Sequence, residues 1–208
     1  MNNFEYVDNV YRSRMTLLDI LEERGYDVEA FRKFSPAEIS VAVEAFPSLS
    51  FQVKKKDDPA YICLVRYATV SRQKIDEFFE KIEEDAPTDM TKLEVVVMMK
   101  DAVADIHHTS ALKQYMSRKL RVSFFSIFMI VNNPMKHVLV PKHEIVPQEK
   151  HKELMESLYI TSKAKFPLIR FHVDPIVRCL GAVPGDIIEI TRPSPSAGEY
   201  VVYRVVAP

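Results

Sequence analysis

Residues 174–206 read DPIVRCLGAVPGDIIEITRPSPSAGEYVVYRVV. Asp174-Pro175 is a helix start: the Asp side chain accepts free N–H groups, and the fixed φ of proline suits the first helical position. Gly181 ends that short helix, and Pro184-Gly185 turns the chain into a strand over 186–191. Arg192 to Gly198 is a connection, and Tyr200 to Val206 is the return strand. Three of the chain's four glycines lie here, each at a reversal. Nothing in the stretch is arranged as a catalytic site. It reads as a small unit shaped for docking. The return strand sets Tyr200, Val202 and Arg204 on one face and Val201, Tyr203 and Val205 on the other. Both faces are bulky, so one of them meets a partner.

Upstream, Pro141-Lys142-His143-Glu144 leads into a short helix near 148–158 that buries Leu154, Met155 and Leu158. Phe166 to Arg170 is extended, since a residue before proline avoids the helical region. The C-terminal unit is therefore α+β, with its boundary near 138–142, giving domains 1–138 and 139–208.

The N-terminal part alternates helix and strand, the pattern of an α/β layer with a mixed sheet. Residues 4–24 form an amphipathic helix, with Val7, Tyr11, Leu18 and Leu21 inward, Glu and Arg outward, and Gly25 as its stop. Ser35-Pro36-Ala37-Glu38 is a capping box opening a helix through Ile39, Val43 and Phe46. Residues 49–53 and 61–67 are a strand pair joined by the solvated run Lys54 to Pro59. Ser71 caps a helix presenting Ile75, Phe78, Phe79 and Ile82, which Ala86-Pro87-Thr88-Asp89 breaks. Leu93 to Met99 is a strand buried on both faces. A helix at 105–118, with Leu112, Tyr115 and Met116 inward, precedes a second buried strand, Arg121 to Val131. Asn132-Asn133-Pro134 turns into a last strand near Val138 to Val140.

A chain of 208 residues with 47% hydrophobic content can build a sizeable core. Net charge is −1, with nine Lys and Arg against eight Asp and Glu over 139–208 and nineteen against twenty-one before it. Neither part carries a bulk positive field, which excludes a free-standing nucleic-acid binder working by charge alone. Cys63 and Cys179 are flanked by apolar residues and read as buried reduced thiols, too few for a zinc site. The first residues lack the basic and apolar regions of a signal peptide. The longest apolar run, Phe124 to Val131, is far short of the ~20 residues of a membrane span. A soluble intracellular protein with no membrane partner is expected.

No catalytic, metal or cofactor residues are assigned. His107 and His108 are adjacent and point about 100° apart on a helix. His143, Glu144 and His151 lack zincin spacing. No G-x-S-x-G is present, and no glycine cluster opens a helix for phosphate. A metal nuclease needs convergent carboxylates and a lysine. Glu94, Lys100, Asp101 and Asp105 are the residues that reading would use. Lys113 and Arg118, with Lys100 and His107 near the helix start, make a local basic edge that could touch phosphates. A solvated helix face is the plainer reading of the same residues. Arg178, Arg192 and Arg204 divide in the same way between packing and an interface.

Leu139-Val140-Pro141-Lys142-His143-Glu144, Asp174-Pro175, Arg178, Gly181, Gly185-Asp186, Arg192-Pro193-Ser194, Ala197-Gly198 and Tyr203-Arg204 form one signature. It resembles that of the fifth subunit shared by the eukaryotic nuclear RNA polymerases, whose C-terminal part stands alone as a small archaeal polymerase subunit. Tyr11 to Val28 is similar to that family's opening helix and Gly-Tyr turn, and Leu93 to Val140 follows its strand, helix, strand order. The resemblance implies a non-catalytic subunit of DNA-directed RNA polymerase in two domains. The C-terminal domain would dock on the largest subunit through Pro141, His143, Arg178, Gly181, Gly185, Asp186, Arg192, Pro193, Ser194, Gly198, Tyr203 and Arg204. The N-terminal domain would have a nuclease-like fold without an active site. It would form part of the lower jaw along downstream double-stranded DNA; the local basic edge read above, Lys100, His107, Lys113 and Arg118, is then the part expected nearest to it. Fold without the site does not confer the activity.

The chain departs from the family pattern in two places. Ser196 stands where Thr is usual, and Asp101 to His108 replaces a Thr-Pro-Ser-Ala-like loop near the DNA. The small archaeal subunit lacks the N-terminal domain, so two domains imply a eukaryotic or large-DNA-virus polymerase. The location would be the nucleus, or a viral factory or virion. A metal-dependent nuclease of similar fold and a transcription adaptor are the readings from other classes.

Overall fold

Seven residues, Leu93–Met99, are buried without exception and form β3, the centre of the first sheet. The structure is a computed structural model and describes residues 3–71, 73–85, 89–196 and 198–208. The expected break at Ala86-Pro87-Thr88 and the signature residue Ala197 lie outside them. The chain divides into two compact units, Met1–Asn133 and Pro134–Pro208.

In the first unit, β1 (Phe51–Lys54) pairs antiparallel with β2 (Ile62–Tyr67). β2, β3 and β4 (Arg121–Ser126) then run parallel in the order β1-β2-β3-β4, a mixed α/β sheet. The connections are α3 (Ile75–Asp85) and α4 (Asp105–Arg118), since parallel neighbours need a crossover. The opening helix is α1 (Asn3–Glu23), and α2 (Pro36–Ala42) follows it. Ser35 and Glu38 close the capping box: Ser35 Oγ accepts from the Glu38 N–H and the Glu38 carboxylate accepts from the Ser35 N–H.

Side chains alternate along β3. Glu94 reaches Arg24 and Tyr26 at the end of α1, and Tyr67, in register with Met98, lies 6.0 Å from Arg14 of α1. On the opposite face Phe124, in register with Val97, meets Phe79 of α3 and His107 of α4. The sheet is thus covered by α1 on one face and by α3 and α4 on the other.

Several inward positions differ from expectation. Arg14 is buried on α1, where arginines were expected outward. Its guanidinium stacks 4.5 Å over Phe51 and donates to the Leu49 carbonyl, so its charge lies over rings while an N–H group finds an acceptor. On α4 the inward side is His107, Ser110, Ala111 and Gln114, whereas Leu112 and Tyr115 are half-buried and Met116 is exposed. The second buried strand stops at Ser126, and a 3-10 turn follows over Ile127–Met129. Val138 and Leu139 are exposed and outside any strand, since Lys142–Ile145 is the segment that finds a pairing partner.

Glu94 is the one charged residue of β3. Gly25, at φ 88°, reverses the chain so that Arg24 and Tyr26 both converge on this carboxylate. Arg24 forms a buried ion pair with it, and the Tyr26 hydroxyl donates to Oε2 at 2.7 Å. Burial, then the neighbouring Glu94 charge, pushes the Tyr26 hydroxyl well above the usual phenol range; burial does the same to Cys63 and Tyr67. All three groups therefore hold their protons more tightly when folded. Their stabilisation is complete below the unfolded ionisation ranges, about 8.5 for a thiol and about 10 for a phenol, and falls above them. Denaturant melts should show this unit losing stability above about pH 9, by up to ~1.4 kcal/mol per pH unit for each group. Tyr26→Phe should flatten the steepest part of that slope, and an unchanged slope would remove Tyr26 as its source.

The second unit is α+β. β5 (Lys142–Ile145), β7 (Ile187–Ser194), β8 (Gly198–Ala207) and β6 (Leu168–Arg170) lie side by side in that order. Its core is Val146, Phe166, Ile187 and Val205, with Leu154 and Met155 of α5 (His151–Ser157) packed against it. Leu158, expected inside, is 41% exposed because α5 ends before it. The two long strands run further than the sequence suggested and absorb most of the expected 192–198 connection.

Candidate assembly surface

The second unit begins its framework at α6 (Pro175–Leu180). Asp174 Oδ1 accepts from the Ile176 and Val177 N–H groups at 2.9 and 3.1 Å, and Gly181, at φ 68°, closes the helix. Its left-handed conformation is one that a Cβ would strain. Arg178 is buried on this helix and donates to the Val173 carbonyl. Burial lowers its guanidinium pKa from the usual value. Asp186 is also buried, and its Oδ2 accepts from the Val183 N–H at 2.9 Å to pin the turn into β7. The Gly185 carbonyl accepts from Lys163 Nζ.

Arg178, Gly181, Gly185 and Asp186 therefore all help to build the unit, and Gly185 and Asp186 also border a surface groove. Arg178 and Asp186 each have an internal backbone partner.

Other signature residues do come together. Pro141, Arg192 and Pro193 line a groove of about 940 Å³ whose other wall is the exposed pair Val138 and Leu139. Arg192 Nε is buried there with no hydrogen-bond partner among the described residues. His143 sits behind the groove, with Nδ1 2.7 Å from the Pro141 carbonyl. Ser194 and Gly198 pair at the tip of the β7–β8 hairpin. Tyr203 faces Glu189, and burial followed by that hydrogen bond raises its hydroxyl pKa. Arg204 donates to the Leu168 carbonyl at 3.0 Å.

A second groove, of about 900 Å³, was not anticipated. Met155, Tyr159, Ile160, Lys163 and Pro184 line it. Its signal in the sequence was Leu158-Tyr159-Ile160, where Tyr159 holds φ 55° and is 94% exposed.

The expected basic edge of the first unit does not assemble. His107 is buried: its Nδ1 accepts from the Ala104 N–H at 3.0 Å and its Nε2 donates to the Val70 carbonyl at 2.9 Å. It caps α4 from within and is closed to phosphate. Lys113 and Arg118 are exposed but pair with Asp76 and Glu83 of α3. Lys100 lies beyond the C-terminal end of β3, 4.6 Å over the Phe46 ring. Arg118 lies at the other end of the sheet, just before Arg121, which is in register with Glu94. Glu94 and Asp101 are likewise at opposite ends of β3, so the carboxylates a metal nuclease would use do not converge. Among the described residues no group of three or more His, Cys, Asp or Glu is placed to hold a metal, and no helix is long and apolar enough to cross a membrane.

The family model for RNA polymerase Rpb5, C-terminal domain, matches residues 132–206. DNA-directed RNA polymerase subunit Rpo5 of Pyrococcus horikoshii is 57% identical over 74 residues, covering 36% of this chain and 88% of that protein. The DNA-directed RNA polymerases I, II, and III subunit rpabc1 of Dictyostelium discoideum is 25% identical over 201 residues, covering 97% of this chain and 98% of that protein. The corresponding RPABC1 of Caenorhabditis elegans is 26% identical over 215 residues, covering 95% of each chain. The chain belongs to the family of the fifth subunit of DNA-directed RNA polymerase, that of the eukaryotic RPABC1 and archaeal Rpo5 proteins.

Proposed function

We propose that this chain is a non-catalytic, two-domain subunit of a nuclear DNA-directed RNA polymerase. The unit 134–208 docks on the largest subunit, and the unit before it forms part of the lower jaw beside downstream duplex DNA. The observation that carries the polymerase-subunit reading is the 57% identity to an archaeal subunit of which the chain covers 88%, and the eukaryotic subunits similar over 95–97% of the chain support the two-domain nuclear form. The groove walled by Val138, Leu139, Arg192 and Pro193 supports the docking role, since exposed apolar side chains lining a surface groove suit a protein partner. The test is affinity purification of the tagged full chain with mass spectrometry. Recovery of the polymerase largest subunit in near one-to-one amount supports the assignment, and its absence overturns it.

The jaw role rests on Lys100, which makes no ion pair among the described residues. Lys113 and Arg118 already face carboxylates of α3. Lys100→Glu should weaken binding of downstream duplex by the assembled polymerase and lower the slope of log affinity against log salt by about one. Reversing Lys113 and Arg118 should have a smaller effect. An unchanged slope for Lys100→Glu would remove this residue from the DNA path.

A further inference from the structure

The ribbon of β7 and β8 outruns its neighbours. β5 covers β7 only as far as Thr191, and β6 covers β8 only back to Val205. Among the described residues no strand pairs with the outer side of Arg192–Pro193 on β7 or of Gly198–Arg204 on β8. Along a paired strand, alternate residues turn their N–H and C=O groups toward one neighbour or the other. Val206 donates to the Asp186 carbonyl on the β7 side, whereas Val205 donates to the Pro167 carbonyl on the β6 side. Continued along β8, this phase turns Glu199, Val201 and Tyr203 outward, toward the lane that β6 leaves vacant. On β7, Ile187 accepts from Val146 on the β5 side, so the same alternation turns Pro193 outward.

The two edges are therefore unlike. Proline has no N–H, so Pro193 blocks the β7 edge at its centre. The β8 edge carries no proline or lysine, the usual means by which a free-standing protein protects an open strand. Tyr200 and Val201 on it are 43% and 45% exposed. Arg204 closes only the lower end, by donating to the Leu168 carbonyl.

We infer that an extended segment of another polymerase subunit completes this sheet, hydrogen-bonding to Glu199, Val201 and Tyr203 in line with β6. The inference rests on the subunit reading above and specifies its docking mode. Alternating backbone donors and acceptors are complementary to a strand rather than a helix. The edge carries Glu199 and Arg204, one charge of each sign, so it has no positive field to hold nucleic acid. The edge also lies within residues 132–206, the segment matched by the family.

Val201→Pro and Glu199→Pro each remove an outward N–H without touching the β7 ladder. Either variant, in the tagged full chain, should recover at least about tenfold less polymerase than wild type while melting at an unchanged temperature. Residue-resolved hydrogen exchange on the unmodified chain, free and in the assembled polymerase, gives an independent reading. The Val201 and Tyr203 amides should exchange at least about tenfold more slowly in the complex, while Val202 is protected in both states. Unchanged exchange at Val201 and Tyr203 on assembly overturns strand addition, as does wild-type recovery by both proline variants. Protection of the same amides in the free chain at high concentration would identify a second copy as the occupant and also overturn it. These outcomes leave the subunit assignment standing, which fails only if the wild-type chain captures no polymerase.

Discussion

Glu94→Ala is expected to destabilise the N-terminal unit by about 3–5 kcal/mol, the cost of leaving a buried charge without its partner. The Arg24 and Glu94 side chains are each 6% exposed, so water cannot replace the lost carboxylate. The substitution also removes the acceptor of the Tyr26 hydroxyl. Urea unfolding followed by a probe in β2–β4 measures the effect. The double replacement of Arg24 and Glu94 by leucine should be far milder, since exchanging a whole buried pair for apolar groups is often close to neutral. A loss below about 1 kcal/mol for the single variant would mean that the pair behaves like a solvent-exposed one.

Ile187→Ala should cost about 2–5 kcal/mol, from lost apolar burial and the cavity left behind. Ile187 is fully buried against Val146, Phe166 and Val205 in the core of the second unit. A domain of this size has only about 4–11 kcal/mol of stability, so the variant should melt at a markedly lower temperature and lose polymerase association. Retained association at a temperature where the unit is unfolded would place the docking determinant outside the folded sheet. Val201→Pro is the contrasting case, in which association is lost from a stable fold.

Local chemistry was the legible part of this chain. Ser35 with Glu38, Asp174 with Pro175, and Gly181 each act through neighbours a few residues away, and each does in the structure what its spacing implies. The all-apolar run that follows Glu94 marked the central strand for the same reason. What resisted reading was polar side chains satisfied at long range. Arg14 is inward because rings at 34, 51 and 67 and the carbonyl at 49 receive it. His107 and Gln114 displace Met116 from the inner face of α4, where hydrophobicity alone pointed the other way.

The candidate site shows the same division. A signature of residues names positions without saying whether each builds the unit or faces a partner. Arg178 and Asp186 are buried, whereas Arg192 is half-buried and Pro193 exposed. The bare β8 edge was invisible in the sequence, because it depends on how far β6 happens to reach.

Each sheet combines one local hairpin with strands that must be brought in from farther along the chain. β2, β3 and β4 meet only after whole helices have been laid between them. The β7–β8 hairpin closes between Ser194 and Gly198, and contacts so near in sequence form early because little loop entropy opposes them. During folding, the ribbon can therefore zip up while the parallel sheet is still searching for its register. The ribbon bearing the bare strand edge is therefore the part of the second sheet that can form first, before β5 and β6 join it from 37 or more residues away in the chain.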